Sequence, residues 1–190
     1  CNLSKLICTY DPDIVCFQET KCQEKNESMF NSLLPFQYNT WNSSTWKLGY
    51  SGVALFTKHK FSLIKIPELQ EDKYGRSICA EFDDFILFNV YVPNSRSINN
   101  QYRKEWNNII YAILTKKYNK PIIYCGDLNV VHSNNDIYNP LILKKGTSPG
   151  TKKYEREAFN KLLDETDLID AHRNFFGDIK LWTWWDVRSK

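Results

Sequence analysis

Glycine, proline, histidine and methionine are scarce, at 7, 7, 3 and 1 in 190 residues. So little glycine and proline excludes collagen-like and low-complexity classes. No apolar run approaches the ~18 residues of a membrane-spanning helix. No Cys-x-x-Cys pair is present to suggest a zinc or redox motif. Neither sign of charge dominates: Lys and Arg number 25, Asp and Glu 22, and the net charge is +3. That balance permits a polyanionic partner without demanding one, because nucleic-acid binding depends on clustered charge. The start has no signal-peptide pattern. It is Cys1 and not Met, which reads as a fragment or a processed chain.

The composition that remains is globular, with 42% hydrophobic, 25% charged and 15% aromatic residues. A chain of this length buries a core without disulfides. Cysteines stand at 1, 8, 16, 22, 79 and 125. Cys16, Cys79 and Cys125 fall in apolar strand-like runs, so they read as buried free thiols in a reducing, intracellular setting.

Strand signals dominate. Residues 13–18 and 52–57 are short apolar runs, and residues 77–82 and 85–91 flank the turn pair Asp83-Asp84 as a hairpin, closed by Pro93. Tyr102, Trp106, Ile109, Ile110, Ile113 and Leu114 recur at helical spacing. Residues 121–125 form another buried strand that delivers Gly126-Asp-Leu-Asn129. Residues 132–153 read as a long surface loop, and 154–163 as a second helix with Ala158, Phe159, Leu162 and Leu163 inward. Strands without regular strand–helix alternation favour a mixed or antiparallel sheet architecture with covering helices.

Two strand ends carry acids beside amides, Gln18-Glu19 and Asp127-Leu-Asn129. If the extended geometry continues, Asp127 and Asn129 share a face. Glu19 is a hard oxygen ligand of the kind Mg²⁺ uses in ones or twos beside phosphate and water. Asp127 could position or deprotonate a water, and Asn129 could donate to a phosphoryl oxygen, as in metal-assisted phosphodiester hydrolysis. Taken singly, such an Asp is more often a turn or cap residue.

The motifs 12–21 (Pro-Asp-Ile-Val-Cys-Phe-Gln-Glu-Thr-Lys), Gly49-Tyr-Ser-Gly52, Gly75-Arg76, Tyr91-Val-Pro-Asn94, Gly126-Asp-Leu-Asn-Val-Val-His132 and Thr183-Trp-Trp185 with its tail follow one another across nearly the whole chain. In this set the chain resembles the endonuclease/exonuclease/phosphatase superfamily, and within it the class II AP endonucleases of the exonuclease III type. The resemblance implies an α/β fold, a four-layered αββα sandwich of two mixed sheets covered by helices, here a single domain over 1–190 that is incomplete at both ends. It implies Mg²⁺-dependent incision (Mn²⁺ as substitute) 5′ to an abasic site in double-stranded DNA, in base-excision repair. Exonuclease or 3′-phosphodiesterase side activities are part of the same implication.

By this resemblance Glu19 is the metal ligand, while Tyr91, Asp127 and Asn129 are catalytic. Lys21, Tyr50, Arg76, Asn94 and Arg96 contact DNA, and Trp184 and Trp185 wall the pocket for the flipped sugar. A sugar without its base is cheap to extrude, and an apolar wall would reject an intact nucleotide by bulk. The expected setting is the nucleus, or a mitochondrion or other organelle, with other repair enzymes as partners and no membrane.

Other readings remain. Tyr50 and Tyr91 could be core tyrosines. His132 reads as a structural histidine bonded to loop backbone, His59 as solvated, Trp106 as core, and the Lys144-Lys145 and Lys152-Lys153 pairs as solvated charge. The family's first-strand Asn has no good match, since Asn2 lies only 17 residues before Glu19. Its carboxyl-terminal Asp–His pair has none either, so a chain lacking both terminal strands is expected to be unstable and inactive alone. A nonspecific DNase, a lipid or inositol phosphatase, or a non-catalytic DNA-binding module are the alternatives.

Overall fold

The computed structural model describes residues 3–69, 72–95 and 100–185. Arg96, expected to contact DNA, lies outside them, as do Asn2 and the tail after Trp185. The chain divides into two compact units. One comprises residues 1–92 and 118–128, the other residues 93–117 and 129–190. Among the described residues no helix is long and apolar enough to cross a membrane.

The first unit holds both sheets. β1 (Ile14–Gln18) and β2 (Tyr38–Asn42) each pair antiparallel with β3 (Val53–Thr57). In the second sheet, β4 (Ser62–Leu63) pairs with β5 (Ser77–Glu81), β5 with β6 (Ile86–Tyr91), and β6 with β7 (Ile122–Asp127). Only the β6–β7 pair is parallel. The hairpin turns at Asp83-Asp84, where Phe82 N–H donates to Phe85 C=O at 2.9 Å.

Period-two alternation explains why β3 is buried along its whole length. Val53 and Leu55 pack between the sheets, with Ile78, Ala80, Phe82, Leu87 and Tyr91. On the opposite face Phe56 meets Phe17, Trp41 and Phe36, with ring centroids 5.5–6.1 Å apart. Trp41 in turn meets Phe30 of α2 (Glu24–Asn31), and its indole N–H donates to Asn31 Oδ1 at 2.8 Å. This helix, α1 (Leu3–Tyr10) and β2 are elements that the periodicity did not reveal.

A polar tie crosses the apolar interface between the sheets. Asn89, fully buried on β6, donates to Ala54 C=O at 2.9 Å and to Phe17 C=O, and it accepts from Gln18 Nε2 at 2.7 Å. Cys16 and Cys125 face each other with sulfurs 3.9 Å apart. Both are half-buried rather than fully buried, and only Cys79 of the three expected core thiols is inaccessible; burial pushes its thiol up to about 12. Among the described residues β1 and β7 each have one strand neighbour, and Ile123 on β7 is 43% exposed.

The second unit is helical: α3 (Asn100–Leu114), α4 (Leu141–Lys145), α5 (Lys153–Asp164) and α6 (Ala171–Phe176). Trp106, Ile110, Ile113 and Leu114 form the buried stripe of α3, as their spacing requires. α3 runs against α5. Tyr111 of α3 lies under Lys161 at 4.0 Å, and Arg103 stands 3.9 Å from Glu155, both side chains almost wholly buried.

The segment 132–153 is not one loop. It contains a 3-10 turn at Asn134–Asp136 and α4. Ser133 and Asp136 cap that turn reciprocally. Asp136 also accepts from Arg173 of α6, a helix started by Asp170, whose carboxylate accepts from Arg173 N–H at 3.0 Å. His132 is structural as expected but takes a side-chain partner: its Nε2 lies 2.7 Å from Asn160 Oδ1 on α5, not on loop backbone.

Candidate active site

Glu19 leaves the end of β1 in a left-handed conformation, with φ of 53°. The next two amides hold it there. Thr20 N–H donates to Gly52 C=O at 3.1 Å, and Lys21 N–H donates to Ser51 C=O at 2.8 Å. A side chain at Gly52 would overlap Thr20 Oγ1, so this approach requires glycine. Five non-glycine residues among the described ones have positive φ, and four of them are Glu19, Lys21, Ser51 and Asn129. Backbone strain thus gathers at the strand ends that the motifs single out, as it does where side chains must be aimed.

Tyr91 ends β6 and is buried to 8% exposure. Its hydroxyl donates to Glu19 Oε1, while Lys21 Nζ stands 3.7 Å from Glu19 Oε2. Burial, then the bond to Glu19 and its charge, push the phenol well above its ordinary value, with Arg76 opposing. At neutral pH Tyr91 is therefore a hydrogen-bond donor and not a phenolate. Asp127 ends β7 directly beside Tyr91 in the parallel register, fixed by Val92 N–H on Asp127 C=O at 2.9 Å. A β-carbon at Gly126 would overlap the Val90 carbonyl, so this close pairing also depends on glycine. Glu19, Tyr91 and Asp127 thus converge at the carboxyl ends of three strands.

Arg76 was expected at the DNA surface, but it is 3% exposed. Its guanidinium lies 4.7 Å from the Tyr91 ring centroid and donates to Tyr91 C=O at 3.0 Å and to Tyr50 Oη at 3.1 Å. The Asp72 carboxylate accepts from the backbone N–H groups of Tyr74 and Arg76, which fixes the loop that inserts the guanidinium. Burial raises the Asp72 carboxyl despite those bonds and the Arg76 charge. A cation so placed meets the cleft through the two tyrosines, whereas the Lys21 side chain is 58% exposed.

The extended geometry does not continue to Asn129, whose φ is 46°, so alternation gives no argument that it shares a face with Asp127. Its carbonyl accepts from Arg103 at 3.0 Å, and the same nitrogen donates to Pro93 C=O at 2.9 Å. Asn129, Asn94, Trp184 and Trp185 belong to the second unit. Trp184 and Trp185, expected to wall a sugar pocket, are 72% and 65% exposed. Sequence reasoning missed Asn89, although a lone amide two residues before Tyr91 in an apolar run was a usable signal. It also missed Asp72, Trp46 and Tyr74, which no local pattern marks.

Among the described residues no group of three or more His, Cys, Asp or Glu side chains is placed to hold a metal ion. The donor set is one half-exposed carboxylate, Glu19, near a second strand-end acid, Asp127. That set does not fit a closed cage such as structural zinc requires. It fits a hard cation held by one or two carboxylates and completed by water and phosphate.

Two sheets joined by an apolar core, with strand-end acids and a buried tyrosine at one rim, agree with the expected framework, and the chain belongs to the Endonuclease/Exonuclease/phosphatase family, whose model matches residues 1–189. Among relatives, the chain is 39% identical to the DNA repair nuclease APEX1 of Danio rerio over 95% of its own length and 61% of that protein. It is 35% identical to an exodeoxyribonuclease of Bacillus subtilis, over 94% of this chain and 71% of that one. It thus spans less than two thirds of the Danio rerio protein. Its fold matches that of an AP endonuclease from Archaeoglobus fulgidus with a TM-score of 0.81 at 23% identity, covering 100% of this chain and 74% of the other.

Proposed function

We propose that the protein is a repair nuclease that hydrolyses the DNA phosphodiester on the 5′ side of an abasic site, leaving a 3′-hydroxyl. The observation that carries this reading is the Tyr91 hydroxyl bonded to Glu19 with Asp127 beside Tyr91 in register. The family and the nuclease relatives support it, and residues 1–190 are read as part of one family domain.

Glu19 would hold a divalent cation, Mg²⁺ with Mn²⁺ as substitute, which would supply neutralisation of charge on the scissile phosphate. The rest is work for the chain. Tyr91, held as a donor by its raised pKa, orients the Glu19 carboxylate. Asp127, exposed at its strand end, accepts from a water and aims it in line with the leaving oxygen. Asn129 donates to a phosphoryl oxygen, as a preorganised dipole does. Lys21 and Tyr50 contact the DNA backbone in this reading, with Arg76 behind Tyr50 and Tyr91, and the resemblance alone adds Asn94 and Arg96 as DNA contacts. Trp184 and Trp185 close on the extruded sugar. Work within base-excision repair, beside other repair enzymes in the nucleus or an organelle, completes the reading.

The test compares the full-length protein on a duplex with one tetrahydrofuran abasic analogue and on the same duplex intact. Divalent-dependent nicking confined to the abasic duplex is expected. Equal nicking of both would make it a nonspecific nuclease, and binding with no nick under any divalent ion would make it a DNA-binding module.

A further inference from the structure

Trp46, Tyr50 and Tyr74 form a cluster of which the proposed function uses only Tyr50. Each ring lies edge-to-face on the others, with centroids 5.0, 5.4 and 6.1 Å apart. Trp46 is 52% exposed, although an indole normally seeks cover. The loop that carries it is latched down. Thr45 and Trp46 N–H donate to Lys73 C=O at 3.0 and 3.1 Å, and Ser44 Oγ donates to the same oxygen at 3.1 Å. Gly75 lets the opposing loop pass so close to Asn42 and Ser43 that a side chain there would overlap their backbone. The exposed indole is therefore held in place and not left on a loose loop.

The charge around the cluster is cationic. Lys73 Nζ stands 5.4 Å from the Tyr74 ring centroid. The Arg76 guanidinium lies 5.7 Å from the Tyr50 ring and 5.9 Å from the Tyr74 ring. Lys47 and Lys73 are both exposed, and Asp72 turns its carboxylate onto backbone amides. Arg76 is also the group stacked on Tyr91, so the aromatic cluster and the Glu19–Tyr91 cleft share one buried cation. Flat rings, exposed ammonium groups and a neighbouring phosphodiester site together suit a ligand that is itself a chain of flat rings on phosphates. A paired base has no open face for an indole, whereas an unpaired one does.

We propose that Trp46, Tyr74 and Lys73 form a subsite that stacks an unpaired nucleobase of the strand running away from the cleft, so that the protein prefers substrates with a single-stranded or frayed flank. This rests on the nuclease reading and deepens it. The stacking is sequence-tolerant, because every base has a π-face.

The experiment measures binding of fluorescein-labelled abasic-analogue DNA to the full-length protein by anisotropy, without divalent ions to prevent cleavage. One probe is fully paired and the other carries a single-stranded flank. Wild type is expected to bind the flanked probe more tightly. Trp46→Ala is expected to weaken that binding at least about fivefold while moving the paired probe less than about twofold, and Trp46→Phe to restore most of the loss. Thermal melts of both variants check that the loop change has not unfolded the chain, and Trp46→Phe carries the test if Trp46→Ala does not fold. Equal effects on both probes, or none on either, overturn the subsite while leaving the nuclease reading intact. A wild type that binds neither probe removes both.

Discussion

Among the described residues two arginines are almost entirely buried, one in each unit, and their surroundings differ. Arg76, at 3% exposure, lies against tyrosine rings and donates to a carbonyl and a phenol. Arg103, at 2%, faces the carboxylate of Glu155 and ties Pro93 and Asn129 carbonyls together from α3. The charge of Arg76 is felt at Tyr91, whose pKa it opposes burial to lower. The charge of Arg103 is answered by an acid equally buried, and its hydrogen bonds go to two backbone carbonyls and to Asn107 Oδ1 on the same helix. The buried cation of the sheet unit thus lies against the tyrosines of the candidate site, and that of the helical unit lies against an acid and backbone carbonyls.

The comparison is broken most forcefully from the architectural side. Arg103→Met should cost about 3–5 kcal/mol of stability, because Glu155 is left charged and buried. The double variant Arg103→Met with Glu155→Met should recover most of that loss in a denaturant titration. If the single variant melts like wild type, Arg103 is not structural. From the chemical side, Asp127→Asn should lower single-turnover incision at least about a hundredfold, with the melting midpoint almost unchanged. A rate within threefold of wild type would remove Asp127 from the assignment.

Arg76→Met sharpens the contrast. We expect turnover to fall about tenfold or more, since Tyr91 loses the group beneath its ring, while stability falls by less than in Arg103→Met. A stability loss as large as that of Arg103→Met with unchanged turnover would make the two arginines equivalent.

The smallest effect concerns Asp136. Burial alone would raise its carboxyl, but the Ser133 hydroxyl and amide and the Arg173 guanidinium outweigh burial and hold it below the ordinary range. A depressed carboxyl contributes stability that is present above its unfolded value and lost as pH falls through the folded one. Thermal midpoints should therefore drop below about pH 4, and Asp136→Asn should flatten that limb. A mutant with the same acid limb as wild type would assign the loss to other carboxylates.

Much of the sheet unit was legible because its strands are apolar runs bounded by turn residues. Ile14–Gln18, Val53–Thr57 and the hairpin around Asp83-Asp84 fall where the pattern puts them. Elements with little burial were not legible. α1 buries only Ile7, α2 buries nothing fully, and β2 is half-buried with polar residues at 39, 40 and 42 that break the alternation. The loop reading of 132–153 failed because its turns are closed by caps, Ser133 with Asp136 and Gly146 after α4, rather than by apolar periodicity. At the candidate site, Glu19, Tyr91 and Asp127 were marked by motifs, since each stands at or one residue past a strand end. The burial of Arg76 was invisible, because its partners Tyr50 and Tyr91 are 26 and 15 residues away. The i, i+2 argument for Asn129 failed at a single positive φ.

The central claim is that Glu19, steadied by Tyr91, carries the divalent ion of a phosphodiester hydrolase. It is tested most directly by titrating Mg²⁺ into single-turnover incision of an abasic duplex by the full-length protein and by its Glu19→Gln variant. The account predicts that the variant needs at least about tenfold more Mg²⁺ for half-maximal rate, because its strand-end ligand is lost. Identical half-saturation in the two proteins would contradict it.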